Sequence, residues 1–163
     1  GLRVPMAMRW PGLVPAGLRF NQAVLSIDLT ATFIAAAGAS VPPTAPLDGV
    51  DLRPFLTGER IEPPHDALFW RRGVAAAVRS GDWKLIRSDG NPTLLFNLAA
   101  DTGERINLAG QRPQVVAGLL ERLRRWEATL AEPRWTEGEK WERNQRRKHR
   151  IDVQTRRDER RFP

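Results

Sequence analysis

The hydrophobic pattern changes its period along the chain, and each period predicts a different element. Near the start, Val4, Met6, Met8 and Trp10 fall at every second position, which predicts a short strand. The Pro-Gly pair that follows predicts a turn at the end of this strand.

A helical spacing comes next and predicts a helix from Ser26 to Ala37. Ser26 is the predicted N-cap, Gly38 the predicted C-cap, and Asp28 lies in the first turn, where the helix dipole favours an anion. Apolar residues recur along one side of this helix, so we expect that side to be buried. The stripe consists of Leu29, Phe33, Ile34 and Ala37.

Proline-bearing loops at residues 41–46 and 62–65 flank a predicted helical turn from Asp51 to Leu56, capped by Asp51. Short apolar segments after the second loop predict four strands: Ala67–Trp70, Val74–Arg79, Trp83–Arg87 and Thr93–Asn97. The tight link at residues 80–82 predicts that the second and third strands pair as an antiparallel hairpin.

The longest predicted helix runs from Pro113 to Leu130. Its apolar positions form one continuous face: Val115, Val116, Leu119, Leu120, Leu123, Trp126 and Leu130. Burial of that face is the largest source of hydrophobic stabilisation in the chain, because each large side chain contributes roughly 1.5–3 kcal/mol. The predicted fold class is α+β, with a small four-stranded antiparallel sheet packed against this helix and preceded by a strand and a helix.

Composition excludes several classes of protein. The chain has 163 residues, of which 41% are hydrophobic and 28% charged, so it has enough apolar residues for a packed core. No apolar run approaches the ~20 residues that a membrane-spanning helix needs. Cysteine is absent, which excludes disulfides, thiolate metal sites and a cysteine nucleophile in this chain. The first residues carry no secretory signal, and we expect the chain to be a piece of a longer polypeptide.

The net charge of +7 comes mostly from residues 134–163, where eleven basic side chains stand against six acidic ones. Apolar residues are sparse there, which predicts an extended basic tail. Two basic runs, at residues 146–150 and 156–161, together with Trp141, suggest contacts with a nucleic acid. The interleaved acidic residues favour a solvated or interface-lining tail instead, so nucleic-acid binding is not expected.

Residues with catalytic or metal-binding chemistry are few. His65 and His149 are isolated in the sequence, which favours solvated surface histidines over ligands. Asp48 and Asp51 supply two carboxylates, whereas calcium needs 6–8 oxygen ligands, so a turn residue and a helix cap explain them better. Gly103 and Gly110 are lone turn glycines and form no phosphate-binding loop. Two adjacent arginines at a strand end, Arg71 and Arg72, have the charge to meet an anion, although ordinary surface exposure is the simpler interpretation.

The order of several phrases resembles the sulfatase family. The similarity covers residues 1 to about 130. In the first part of the chain the phrases are Gly1-Leu2-Arg3-Val4-Pro5 with Trp10-Pro11-Gly12, then Ser26-Ile27-Asp28-Leu29-Thr30-Ala31-Thr32, then Asp48-Gly49-Val50-Asp51-Leu52 with Leu56-Thr57-Gly58. The next phrase is Ala77-Val78-Arg79-Ser80-Gly81-Asp82-Trp83-Lys84-Leu85-Ile86. The last is Leu95-Phe96-Asn97-Leu98, followed by Asp101-Thr102-Gly103-Glu104 and Asn107-Leu108-Ala109. Ala31 and Thr102 stand where the family usually has proline.

The resemblance implies the alkaline-phosphatase-like fold, a formylglycine made from Cys or Ser in a C/S-x-P-x-R motif, and a bound calcium. The family's residues for this chemistry precede the R-V-P strand, so it assigns no catalytic, cofactor-binding or metal residue to this chain. The segment from Ser40 to Thr44 imitates the motif, but Thr44 stands where arginine belongs, and we expect no function for it. In the family the C-terminal subdomain borders the active-site cleft, which makes Trp70, Arg71 and Arg72 candidates for substrate selection.

The resemblance divides the chain into a remnant of the large sulfatase domain at residues 1–60, a sheet-and-helix subdomain at 61–133 and the basic tail at 134–163. The function it implies is sulfate ester hydrolysis by a full-length sulfuric ester hydrolase, with an N-terminal catalytic part as partner. Three alternatives remain open. They are a phosphonate or phosphodiester hydrolase of the same superfamily, a basic binding module, and a non-catalytic scaffold subunit.

Overall fold

The computed structural model describes residues 4–135 and 138–147 of the chain. It divides into two compact units, Gly1–Asp66 and Ala67–Pro163. The first unit contains helices α1 (Ser26–Ala36) and α2 (Arg53–Leu56). The second contains strands β1 (Leu68–Arg72), β2 (Ala75–Ser80), β3 (Trp83–Ser88) and β4 (Leu94–Asn97), followed by helix α3 (Pro113–Glu127).

Residues 4–10 are not in a strand, which differs from the prediction made from their alternating pattern. A strand forms only beside a hydrogen-bonded neighbour, and no segment among the described residues pairs with this one. Two of its apolar side chains are exposed to solvent, Val4 at 74% and Met6 at 53%, whereas Met8 and Trp10 are partly buried. The turn that follows is present, because the amides of Leu13 and Val14 donate to the carbonyl oxygen of Trp10.

Helix α1 forms where the pattern predicts it, but it buries a different face. Its N-cap is Leu25 and not Ser26, and its buried residues are Asp28, Ala31 and Thr32. Phe33, which the predicted apolar stripe placed inside, is 59% exposed. The apolar pattern failed here because two of the buried side chains, Asp28 and Thr32, are polar and form hydrogen bonds with the loop at residues 49–52.

The four strands form one antiparallel sheet in the order β1-β2-β3-β4, and the predicted strands are confirmed to within two residues at each end. The β2–β3 hairpin is also confirmed. Ser80 pairs with Trp83 across a two-residue turn, in which Gly81 adopts a φ of +55°. Positive φ at such a position explains the glycine, because other residues avoid it.

Helix α3 packs on one face of this sheet and encloses the main core. The buried cluster consists of Ala76, Val78, Leu85, Leu95, Leu119 and Leu123. Beside it the rings of Phe69 and Trp126 stack with centroids 5.1 Å apart. The predicted α+β class is therefore confirmed, and so is the predicted apolar face of the long helix from Val115 to Trp126. The helix ends at Glu127, three residues before the predicted end, so Leu130 lies outside it.

The C-terminal region differs in part from the expected extended tail, because residues 139–147 are helical. Residues 148–163, with His149 and the second basic run, lie outside the described residues. None of the helices within the described ranges has the length and hydropathy that a membrane span requires.

Candidate functional site

A buried carboxylate organises the first unit. The Asp28 side chain is fully buried and accepts hydrogen bonds from three directions. Its Oδ2 accepts from the Leu25 amide at 2.7 Å, and its Oδ1 accepts from the Val50 amide at 3.0 Å. The Nε2 atom of His65 lies 2.9 Å from Oδ1 and 2.8 Å from Oδ2. Burial of the carboxylate is tolerated because its oxygens are satisfied in this way.

Thr32, one turn further along α1, extends the same network. Its hydroxyl donates to the Asp28 carbonyl oxygen at 2.7 Å and accepts from the Leu52 amide at 2.9 Å. The loop carrying Leu52 approaches so closely that a Cβ on Gly49 would lie 2.9 Å from the Asp28 amide nitrogen and would overlap the Ile27 carbonyl. Glycine is therefore required at residue 49 for steric reasons. This group, Asp28, Thr32 and His65 with the loop at residues 49–52, is called the Asp28 network below.

The prediction of a solvated surface histidine was wrong for His65. Its side chain is only 12% exposed and is bound to the Asp28 carboxylate. Sequence reasoning missed this pair because 37 positions separate the two residues and no local spacing relates them. The Asp28 carboxylate and the Thr32 hydroxyl bind neighbouring groups of the first unit, which indicates a structural role for the network.

The other two aspartates of this region fit no metal site. Both oxygens of Asp51 accept from the Arg53 guanidinium, Oδ1 from Nε at 3.1 Å and Oδ2 from Nη2 at 2.9 Å, and Oδ1 also accepts from the Arg53 amide at 3.0 Å. Partial burial disfavours the Asp51 carboxylate, but these hydrogen bonds outweigh it and hold its pKa below the ordinary value. Asp48 is exposed. Across residues 4–135 and 138–147 no cluster of three acidic or histidine side chains could hold a metal ion, so the described residues do not fit calcium.

The candidates for substrate selection lie on β1. Trp70 is half-buried, whereas Arg71 and Arg72 are exposed at the end of the strand. Arg71 pairs with Ala76 of the core face, and its Nη2 lies 3.5 Å from the Ala131 carbonyl oxygen. Adjacent strand residues point to opposite faces, so the two arginines cannot hold one anion together. The structure thus separates the two arginines that the sequence placed side by side.

Two basic side chains of β3, Lys84 and Arg87, form ion pairs with glutamates of the second unit. Lys84 Nζ lies 2.6 Å from Glu104 Oε1, and both side chains are largely buried. Arg87 donates both terminal nitrogens to the Glu127 carboxylate, at 2.8 and 2.9 Å. Glu104 has a φ of +54° in the turn that contains the predicted turn glycine 103. These pairs fasten the 98–107 loop and α3 to the sheet, which is a structural function.

The sulfatase-like phrase at residues 40–44 has no structural context for catalysis. Ser40 is exposed, and no helix begins in the following residues. That this segment has no function stays a prediction.

Comparison with known proteins identifies the kind of protein to which this fold belongs. The family described as the C-terminal part of N-sulphoglucosamine sulphohydrolase matches residues 1–129. The chain belongs to this sulfatase family. Bovine arylsulfatase A is 33% identical over 160 residues, covering 81% of this sulfatase chain, and choline-sulfatase of Rhizobium meliloti is 37% identical over 111 residues, covering 66% of it. The crystal structure of Ps i-CgsB superposes on 89% of it with a TM-score of 0.68 at 29% identity.

The sulfatase chain spans between about a fifth and a third of the length of these relatives. It covers 31% of bovine arylsulfatase A, 21% of choline-sulfatase and 34% of Ps i-CgsB. The match confirms the resemblance drawn from the ordered phrases and identifies the portion as C-terminal.

Proposed function

We propose that this chain is the C-terminal part of a sulfuric ester hydrolase, and that the full-length protein cleaves sulfate esters. The observation that carries the proposal is the family match over residues 1–129, together with similarity to enzymes named arylsulfatase and choline-sulfatase. The residues that attack sulfur belong to an N-terminal part, because the described residues contain neither a metal-binding cluster nor the family's nucleophile motif in its context.

The surface of the first unit supports this division. Apolar side chains that would favour burial are exposed on it, among them Val4, Met6 and Phe33. Residues 4–10 alternate like a strand yet have no partner among the described segments. A strand of the N-terminal part pairing with residues 4–10 would satisfy their backbone groups and cover Val4 and Met6.

The family's calcium and formylglycine belong, in this proposal, to the same N-terminal part. Calcium would stabilise the sulfate oxygens and the hydrated formylglycine would attack sulfur. This chain contributes the folded wall beside that site. Because the named relatives act on different esters, the substrate of this enzyme is left to experiment.

The test compares the chain alone with a protein that also contains the upstream coding sequence. With calcium and an aryl sulfate, we expect the longer protein to release sulfate and the isolated chain to release none above the buffer rate. The matched control is the longer protein with the Cys or Ser of its C/S-x-P-x-R motif replaced by Ala, which should be inactive. Turnover by the isolated chain, or faster cleavage of an aryl phosphonate than of the sulfate, would contradict the proposal.

A further inference from the structure

The segment 138–147, called the strap below, contacts two turns of the sheet in the second unit, although it falls beyond the residues that match the family. Its contact point is the turn between β1 and β2, where Gly73 has a φ of +53°. The Trp141 ring is so close to this turn that a Cβ added to Gly73 would lie 2.8 Å from the Trp141 Cη2 atom. Such a distance is shorter than real carbon contacts, so the indole ring can lie there only because residue 73 is glycine.

Arg72 also contacts the Trp141 ring. Its guanidinium lies 5.7 Å from the centre of the Trp141 ring, within the range of a cation–π interaction. The Trp141 side chain is half-buried, whereas Trp135, six residues earlier, is 79% exposed. The contrast indicates that Trp141 is anchored and Trp135 is not.

A second contact lies at the neighbouring turn. The Asn91 side-chain amide nitrogen is 3.4 Å from the Arg146 carbonyl oxygen. Asn91 belongs to the β3–β4 connection, and in this antiparallel sheet the β1–β2 and β3–β4 connections are at the same end. The strap therefore reaches from one turn to the other across that end of the sheet.

The strap also has stabilising contacts of its own. Arg143 and Glu139 approach to 3.2 Å, and Arg146 and Glu142 to 3.6 Å, both four residues apart on one helix. Such pairs stabilise a helix whether or not it is docked. The helix of the strap is therefore stabilised by its own ion pairs as well as by its contacts with the two turns.

We propose that the strap is a reversible latch with Trp141 as its anchor. When it is docked, the Trp141 ring covers the Gly73 turn and fixes the orientation of the Arg72 guanidinium. When it is released, the Arg72 guanidinium loses the ring contact and can turn toward anions in solution. The strap therefore controls the one exposed cation of β1 that shares a face with Trp70.

The test uses two glycines with nearly the same backbone. Gly73→Ala introduces a Cβ that displaces the Trp141 ring, whereas Gly81→Ala bears the same positive-φ penalty, at φ +55° against +53°, with no atom within 4 Å of the added Cβ. Trypsin cleavage after Arg143, Arg146 and Arg147 reports release of the strap, because proteolysis follows the population of the open form. We expect Gly73→Ala and Trp141→Ala to raise this rate about tenfold, as the loss of one buried aromatic contact implies, and Gly81→Ala to leave it unchanged.

Two further measurements distinguish release of the strap from unfolding of the second unit. Cleavage after Arg124 and Arg125 in α3 should stay at the rate of the unsubstituted chain, which shows that the unit remains folded. If Gly73→Ala raises that rate as well, Trp141→Ala decides the question, since it leaves the turn backbone intact. Adding Gly73→Ala to Trp141→Ala should have no additional effect on the strap. Equal strap cleavage in the Trp141→Ala variant and the unsubstituted chain would overturn the proposal.

Discussion

His65 Nε2 lies 2.8 Å from Oδ2 of the fully buried Asp28, across 37 positions of sequence. The contact joins the first turn of α1 to the last loop of the first unit. The same carboxylate accepts the amides of Leu25 and Val50. The Asp28 side chain therefore holds three separate segments of the first unit together, and we expect its removal to destabilise all three.

His65→Ala should destabilise the first unit by about 1.5–3 kcal/mol, because a hydrogen bond to a buried carboxylate is lost. His65→Gln retains a donor and should cost less. The measurement is hydrogen exchange of the Leu25 and Val50 amides, which should accelerate in the alanine variant. Asp48→Asn, which removes an exposed carboxylate nearby, is the control, and equal exchange in the His65→Ala and control variants would count against the Asp28 network.

Gly49→Ala should destabilise the first unit by about 1–3 kcal/mol, the usual range for overpacking. The added methyl group meets the backbone of Ile27 and Asp28, which cannot rotate away as a side chain does. Gly110→Ala is the matched control, because no atom lies within 4 Å of its added Cβ. Urea unfolding followed by circular dichroism measures both variants, and similar midpoints for the two would refute the close approach.

Lys84→Met should destabilise the second unit by about 2 kcal/mol, since it leaves the Glu104 carboxylate without its 2.6 Å cation. The comparison is Arg125→Met, which breaks an ion pair whose side chains are 75% and 51% exposed. Exposed pairs contribute less than about 1 kcal/mol. Guanidinium unfolding should separate the two variants, and a larger loss for Arg125→Met would reverse the ranking.

Asp51→Asn should lower the free energy of unfolding at neutral pH by an amount that vanishes in acid. The Arg53 hydrogen bonds outweigh partial burial and place the native pKa of Asp51 below its ordinary 3.8. The stabilisation is therefore complete above the unfolded-state pKa and is lost as the pH falls through the lower native pKa. Unfolding of both proteins measured from pH 7 to pH 2 tests this, and a difference that grows in acid would show the opposite sign.

Much of the second unit could be predicted from local pattern. Its strands are short apolar segments, its β2–β3 turn carries Gly81 at positive φ, and α3 presents Leu119 and Leu123 at helical spacing. Each of these sequence patterns spans only a few residues, and adjacent patterns predict elements that are compatible with one another. The first unit was predicted less well, because the stripe containing Phe33 is exposed and the buried face holds Asp28 and Thr32.

The division of the chain into domains at residues 60 and 133 stays a prediction. The structural boundary between the two compact units lies after Asp66. The family was also accessible from sequence, since ordered phrases with fixed spacing carry more information than any single residue.

The sequence by itself determined the α+β class, the strand order along the chain, the long apolar helix and membership of the sulfatase family, because each depends on short-range periodicity or ordered phrases. The tertiary structure alone decided that His65 is bound by Asp28, that Arg71 and Arg72 diverge, and that Trp141 lies on Gly73. These relationships join residues far apart in the chain or depend on which face of a strand a residue occupies. Hydrogen bonds and steric contacts act through space, and only the folded backbone sets those distances.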